Sequence, residues 1–399
     1  MDLYARALEL KEETVAHRRY FHQNAEVGLE EPKTRAYVME KLTEYGLAPK
    51  PCGHGVTALL GHGSPVLLLR ADMDALPMPE ESGEEFACPT GTEHHACGHD
   101  FHAAMLLTAA KILKEREGEL KGTVKLMFQP AEETFEGSRD MIANGILENP
   151  HVDAALAFHV APGRIPTGLF MYNAGDVMMN SVDGFRLDIG GKGGHGAYPN
   201  LSVDPIQIAV QSFQGLETLI AREADPEKTC VLTIGKLWAG NAPNIIPDTA
   251  VLEGTLRTND KACRELLTRR IGEVAQGIAA TYGGTVELTW LSQVPPLVCD
   301  KALTQELAGY MTELPIPGNQ PVPDMKANAS EDFAVVAEAV PATLMYLSAG
   351  YLDERGDYSA HNPKVRFNEE VCPAGVAGLV HCAIRYLENH GKEERKEKR

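Results

Sequence analysis

Short runs of consecutive apolar residues recur along this chain between amphipathic stretches, and that alternation limits its fold more than any other feature. Val66-Leu-Leu-Leu-Arg-Ala, Thr123-Val-Lys-Leu-Met-Phe, residues 154–160 and residues 343–348 each have strand length and little polar interruption. Runs of this kind suit strands buried on both faces. Between and around them lie helical patterns: residues 3–23, a second from Pro32 to Gly46, 102–115, one near Ala302, and 368–388. Proline is favoured in a first helical turn and glycine just past a last one. The pattern predicts an α/β domain, a mostly parallel sheet flanked by helices.

Residues 181–292 follow a different rhythm. Strands at 181–190, 229–237, 249–258 and 285–290 and helices at 203–222 and 261–282 give the order β-α-β-β-α-β. That is the order of an α+β ferredoxin-like sandwich, and about 110 residues suffice for an independent small domain. After Pro295-Pro296 the first pattern resumes. The expected organisation is a catalytic domain in two parts, 1–180 and 293–399, interrupted by a lid or dimerisation domain at 181–292. The charged run from Gly391 to Arg399 has no apolar face to bury and reads as a frayed, solvated end.

Charge and cysteine usage narrow the function. Lys plus Arg number 37 against 56 Asp plus Glu, a formal charge of −19, so the surface repels nucleic-acid phosphates and anionic lipid. No run approaches the roughly 20 apolar residues of a membrane span, and the opening MDLYARALELKEETV lacks the apolar core of a secretory signal. Eight cysteines scattered from Cys52 to Cys382 show no framework spacing and are expected to be reduced and mostly buried. A cytoplasmic protein that binds neither nucleic acid nor membrane is the expectation.

Four clusters fall where predicted strands end: His95-Ala-Cys97-Gly-His99-Asp100, Gln129-Pro-Ala-Glu132-Glu133, Ala157-Phe-His159-Val and Ser359-Ala-His361-Asn-Pro. In open α/β sheets chemistry gathers beyond the carboxyl ends of the strands. Cys97 and His99, two apart, point the same way in an extended segment, as a shared metal site requires. Adjacent Glu132 and Glu133 must diverge, one towards metal and one towards substrate. Singly, each feature is ordinary: a histidine at a strand end is usually structural, and a buried cysteine usually inert. Their convergence on one sheet edge is the signal.

Together with these clusters, His17-Arg-Arg, Leu69-Arg-Ala-Asp72-Met-Asp74-Ala-Leu-Pro, Gly191-Lys-Gly-Gly-His195, Asn244-Ile-Ile-Pro and Ser330-Glu-Asp-Phe follow in order along nearly the whole chain. The ordered set resembles the amidohydrolase branch of the aminoacylase-type metallopeptidases, the group of hippurate hydrolases, auxin-conjugate hydrolases and N-acyl-amino-acid amidohydrolases. The resemblance implies two divalent metals bridged by the Cys97 thiolate, with His99 and His159 on one ion and Glu133 and His361 on the other. It implies that Glu132 is the general base and that His195 helps hold the tetrahedral oxyanion across a homodimer interface. Asn244 and Arg257 look like candidates for gripping the substrate's carboxylate. The wider clan has a His-x-Asp motif and an aspartate bridge, whereas this chain has Asp72-Met-Asp74 and Cys97, so Asp72 is not carried over as a ligand. Asp74 and Asp100 are placed behind the ligands.

Two divalent ions about 3.5–4 Å apart polarise an amide carbonyl and acidify a water, and a mixed thiolate, imidazole and carboxylate set suits zinc, manganese, cobalt or nickel. The expected reaction is cleavage of the amide bond of N-acyl amino acids; a dipeptidase or an N-acetyl-diaminopimelate deacetylase would use the same residues. A dinucleotide-dependent oxidoreductase competes through Gly191-x-Gly193-x-x-Gly196 with Glu217. That fingerprint must open a helix, yet Pro199 follows within a few residues and Glu217 falls inside a helical pattern. A cysteine-nucleophile hydrolase built on Cys97 and His99 would leave the other ligand-type residues without work. A catalytically dead metal-binding or regulatory protein stays open as an alternative; no site member is missing, and the presence of Glu132 argues against it.

Overall fold

The computed structural model describes residues 2–391; the charged run lies outside the described residues from 392 onwards. The chain divides into two compact units. Among the described residues the first comprises 2–178, 298–326 and 332–391, and the second 179–297 and 327–331.

The first unit is built on a seven-stranded sheet in the order Lys50–Cys52, Gly55–Gly61, Thr123–Gln129, Val66–Asp72, Ala154–Ala161, Ala342–Ser348, Phe170–Tyr172. The three central pairings are parallel, and the outer ones antiparallel. Every residue of Val66–Asp72, Thr123–Gln129 and Ala342–Ser348 is buried, as continuous apolar runs predict. The two edge strands, Lys50–Cys52 and Phe170–Tyr172, and the antiparallel Gly55–Gly61 beside the first of them escaped the sequence reading.

Helices His99–Glu115 and Cys372–His390 pack against each other and the sheet, and their apolar faces merge with it into one core. The first helical stretch breaks into Leu3–Glu9 and Lys11–Gln23, because Leu10 leaves helical geometry. The helix predicted from residue 102 begins at His99 instead: Gly98, at φ +89°, turns the chain directly into it. Left-handed geometry there costs a glycine nothing. Helix Phe333–Ala339 was not anticipated. Among the described residues no helix is long and apolar enough to cross a membrane.

The second unit is built on a sheet of four antiparallel strands in the order Cys230–Ala239, Thr249–Thr258, Val182–Gly190, Thr285–Val294. Helices Pro205–Arg222 and Lys261–Thr281 cover one face. The inward alternates Phe185, Leu187, Ile189, Leu252 and Leu256 meet Ile208, Leu216, Leu267 and Ile271, the period of two that a half-covered sheet requires. Asp204 starts the first helix by accepting the Ile206 N–H at 2.9 Å.

A buried histidine in the first unit yields a test. Tyr45 donates its hydroxyl proton to Glu13 at 3.0 Å, so its oxygen accepts from His17 Nε2 at 2.7 Å, leaving His17 Nδ1 to accept from Tyr37 at 2.8 Å. This neutral ring has a pKa pushed down to about 4, chiefly by burial. The unfolded chain therefore binds the proton first as pH falls below about 6.5, and stability is lost progressively down to about pH 4. Between about pH 7 and pH 5 the wild type should lose about 2 kcal/mol more than His17→Gln. Urea midpoints at both pH values measure it; parallel losses would show that His17 is not held neutral.

Candidate metal centre

The carboxyl ends of the central strands deliver the site. Val66–Asp72 runs out into Asp74, Thr123–Gln129 into Glu132 and Glu133, and Ala154–Ala161 carries His159 near its end. His361 comes from a loop, at φ +63°, with its N–H donated to Ala96 O at 3.0 Å. Cys97 and His99 do not lie in an extended segment as the spacing suggested; the Gly98 turn separates them and puts His99 in the first helical turn. A side chain at Gly98 would meet Val160 at 2.4 Å, so the turn is also packed shut.

The five predicted ligands converge. Potential ligand atoms of Cys97, His99 and His159 lie within 4.8 Å of one another, and so do those of Cys97, Glu133 and His361. Cys97 belongs to both groups. His159 Nδ1 donates to the Val160 carbonyl at 2.8 Å, leaving Nε2 facing the Cys97 sulfur at 3.5 Å. His99 Nδ1 donates to the Asp74 carbonyl at 2.9 Å and meets its carboxylate at 3.1 Å. His99 Nε2 and Glu133 Oε1 are buried with no hydrogen-bond partner. His361 Nε2 stands 3.2 Å from that same Glu133 oxygen, with its ring half exposed at 51%. Buried lone pairs turned towards one point cost free energy unless something accepts them. These donors fit a divalent cation.

Electrostatics agree. Burial, then Glu133, pushes the Cys97 thiol up to about 12; a bound cation is what would make it a thiolate. Burial and the neighbouring His102 hold His159 well below its usual range, neutral as a ligand must be. At His99 burial opposes charge, but Asp72 and Cys97 outweigh it and raise the group well above its usual range. The pocket attracts positive charge.

Glu132 and Glu133 part as adjacency demands. Ala131 between Pro130 and Glu132 is left-handed at φ +55°, a strained geometry for a residue with a side chain. Glu132, buried, accepts the Asp332 N–H at 3.3 Å. Glu133 donates its own N–H to Asp74 Oδ2 at 2.9 Å. Asp74 thus steadies two of the predicted ligands, His99 and Glu133. Asp100 does not: its carboxylate meets Arg18 Nε at 2.8 Å and His22 Nδ1 at 2.7 Å, away from the ligand atoms.

A buried network missed in the sequence underlies the site. Arg70 donates from Nε to Gln129 at 2.9 Å, from Nη1 to Asp72 at 2.7 Å and from Nη2 to Asp332 at 3.1 Å. Asp332 also accepts from Gln129 Nε2 at 2.7 Å and from the Ser138 N–H at 2.9 Å. Asp72 bonds His102 Nδ1, and His102 Nε2 accepts the Val160 N–H at 2.7 Å. Asp72 therefore steadies the strand that bears His159. The available signal was an arginine inside an otherwise apolar strand, since a buried guanidinium needs partners.

The remaining candidates lie in the second unit. His195 is exposed in a two-residue strand paired with Ile245–Ile246, its Nδ1 accepting the Ala197 N–H at 3.0 Å. Exposed Asn244 adjoins that pair and accepts the Gly196 N–H through its carbonyl at 2.9 Å. Arg257 donates to Ser330 Oγ at 2.8 Å.

An α/β domain carrying a thiol, imidazoles and carboxylates at one sheet edge, beside a buried glutamate, defines a metal-dependent hydrolase. Residues 68–385 match the model of peptidase family M20/M25/M40, and the chain belongs to that family. It is 35% identical over 385 residues to N-acetyl-L-cysteine deacetylase of Bacillus subtilis (strain 168), covering 96% of this chain and 90% of the relative. To IAA-amino acid hydrolase ILR1-like 2 of Arabidopsis thaliana it is 37% identical over 392 residues, covering 96% and 87%. Among solved structures, an aminohydrolase from methicillin-resistant Staphylococcus aureus superposes with a TM-score of 0.89 at 30% identity, covering 96% of this chain and 99% of the other. The YXEP protein of Bacillus subtilis, described as a dinuclear metal binding peptidase, gives 0.78 at 30% identity, covering 95% and 99%.

The Arg70 network generates a prediction. Asp332→Ala leaves a buried guanidinium without one carboxylate partner and should destabilise the first unit by about 3–5 kcal/mol. Urea titration followed by circular dichroism measures it; a loss under about 1 kcal/mol would show that Asp72 and Gln129 suffice for Arg70.

Proposed function

We propose that this chain is a two-metal amidohydrolase that cleaves the amide bond of N-acyl amino acids to a carboxylic acid and a free amino acid. The observation that carries the reading is Cys97, whose sulfur belongs to two ligand groups at once. Relatives that are an N-acetyl-L-cysteine deacetylase and an IAA-amino acid hydrolase support the substrate class, and the dinuclear neighbour supports the metal number. Cys97 would be shared, His99 and His159 would hold one ion, and Glu133 and His361 the other. The donor set accepts zinc, manganese, cobalt or nickel. When bound, such a pair supplies Lewis acidity to the amide carbonyl and to water.

The protein's own residues do the rest. Glu132 takes a proton as water attacks the acyl carbon, then hands it to the amide nitrogen as the carbon–nitrogen bond breaks. The Asp332 N–H aims its carboxylate, and burial keeps bulk water from competing. Asp74 fixes His99 through its ring N–H and Glu133 through its backbone. His195 would supply an oxyanion donor from the second unit of a partner subunit, with Asn244 and Arg257 binding the substrate carboxylate.

A homodimer through the second unit is supported by Ile206, Val210 and Phe213, exposed on one face of helix Pro205–Arg222. The edge strand Cys230–Ala239 also exposes Val231, Leu237 and Trp238. The eight cysteines, all free thiols, support a cytoplasmic location.

Two experiments test this reading. Glu132→Gln should retain both metals and lose at least about 10²-fold in kcat on N-acetyl amino acids, whereas Glu133→Gln should lose metal; equal metal loss in the two would reverse their roles. His195→Ala should keep its metals and lose about 10²–10³-fold in kcat. Mixed with Glu132→Gln, it should regain activity as subunits exchange, because one site in each heterodimer is intact. Heterodimers seen by mass spectrometry without returning activity would refute action in trans.

A further inference from the structure

A second group of ligand-type side chains lies in the first unit, made of residues the proposed mechanism does not use. His22, in the last turn of helix Lys11–Gln23, Glu80 and His94 place a ring nitrogen, a carboxylate oxygen and a ring nitrogen within 4.8 Å of one another. The side chains of all three are at most 3% exposed. Glu80 and His94 belong to the stretch between Asp74 and Gly98, which has no helix and only the Leu76–His94 bridge for regular pairing.

We propose that His22, Glu80 and His94 form a structural zinc site that staples this stretch to helix Lys11–Gln23. His22 Nε2 lies 3.1 and 3.2 Å from the two Glu80 oxygens, and His94 Nε2 lies 3.7 Å from Oε1. The last distance is too long for a hydrogen bond. Two ligands on one tetrahedral ion with bonds of about 2.0–2.1 Å stand about 3.3–3.5 Å apart, the spacing these atoms straddle. Asp100 meets His22 Nδ1 at 2.7 Å, so with an ion bound Nδ1 would keep its proton and Nε2, which otherwise donates to Glu80, would turn its lone pair to the metal; a carboxylate behind a ligating imidazole is the arrangement metal sites use to fix the ring.

A further observation points to a missing polar partner. His95, 1% exposed, lies beside the cluster with its ring centroid 6.0 Å from that of His22, and neither of its nitrogens has a hydrogen-bond partner. Two imidazoles with one carboxylate favour zinc over calcium or magnesium, which take oxygen donors. Arg18, whose Nη2 is 3.3 Å from His22 Nδ1, is offset by Asp100 and Glu369, and Glu80 is the acid left to face the ion. Joining Glu80 and His94 to a helix closes an irregular stretch that ends at Cys97 and His99, so the ion would order the approach to both.

The test counts zinc per chain after saturation and desalting. Each protein is compared with the same protein carrying Glu80→Gln, and separately His94→Met, which keeps the side-chain volume. The expected difference is one zinc in the wild type and again one in Cys97→Ala. The count at the Cys97 cluster cancels from each comparison, so failure of the two-metal reading and failure of this proposal are distinguishable. Cobalt-loaded Cys97→Ala should show tetrahedral d–d bands without thiolate charge transfer, lost in the Glu80→Gln double variant. No difference in zinc count in the Cys97→Ala pair, with both proteins folded by circular dichroism, would overturn the proposal and leave His22 as an imidazolium between Asp100 and Glu80.

Discussion

The guanidinium of Arg70 is the constraint around which the first unit is arranged. It lies almost wholly buried in a central strand, where an isolated charge would be prohibitive. Its neutralisation draws Asp72, Gln129 and Asp332 from three separate parts of the chain. Each is one or two steps from chemistry. Through Asp332 the network reaches the carboxylate of Glu132, and through Asp72 and His102 it reaches the backbone beside His159. A single buried cation thereby sets the spacing between Glu132 and the strand that bears His159. The arrangement need not be the most stable filling of that space, since buried ion pairs often yield nothing over apolar packing; it fixes a distance.

What the sequence disclosed follows a physical rule. Strands buried on both faces were legible because most of their residues must be apolar, as in Val66-Leu-Leu-Leu. The edge strands Lys50–Cys52 and Phe170–Tyr172 were not, because three residues with one solvated face leave no pattern to detect. The four-stranded sheet of the second unit was legible strand by strand, since one covered face imposes alternation, whereas the two-residue pair Gly194–His195 and Ile245–Ile246 was too short to leave a pattern. Helix starts slipped where a glycine decided them, as Gly98 did for His99.

The candidate ligands were legible as residue types at predicted strand ends, and the folded chain brings all five together. Their supports were harder to read. Asp74 and Asp100 look equivalent in sequence, yet one holds His99 and Glu133 while the other turns to Arg18 and His22. Only the packing of the first helices tells them apart. His22 and Glu80 offered no local signal at all, because their meeting depends on how a stretch without regular structure folds back onto a helix.

Ala131 stands immediately before the two glutamates. Its left-handed backbone turns two successive glutamates to different tasks, while its methyl group is fully buried and touches no chemistry. The alphabet open to this position is therefore narrow for reasons of shape: glycine satisfies the dihedral but loosens the turn, and any β-branched residue opposes it. Selection acting on catalysis would be felt here as strongly as at a functional group. A position that performs no reaction would then look, in any record of tolerated change, like one that does.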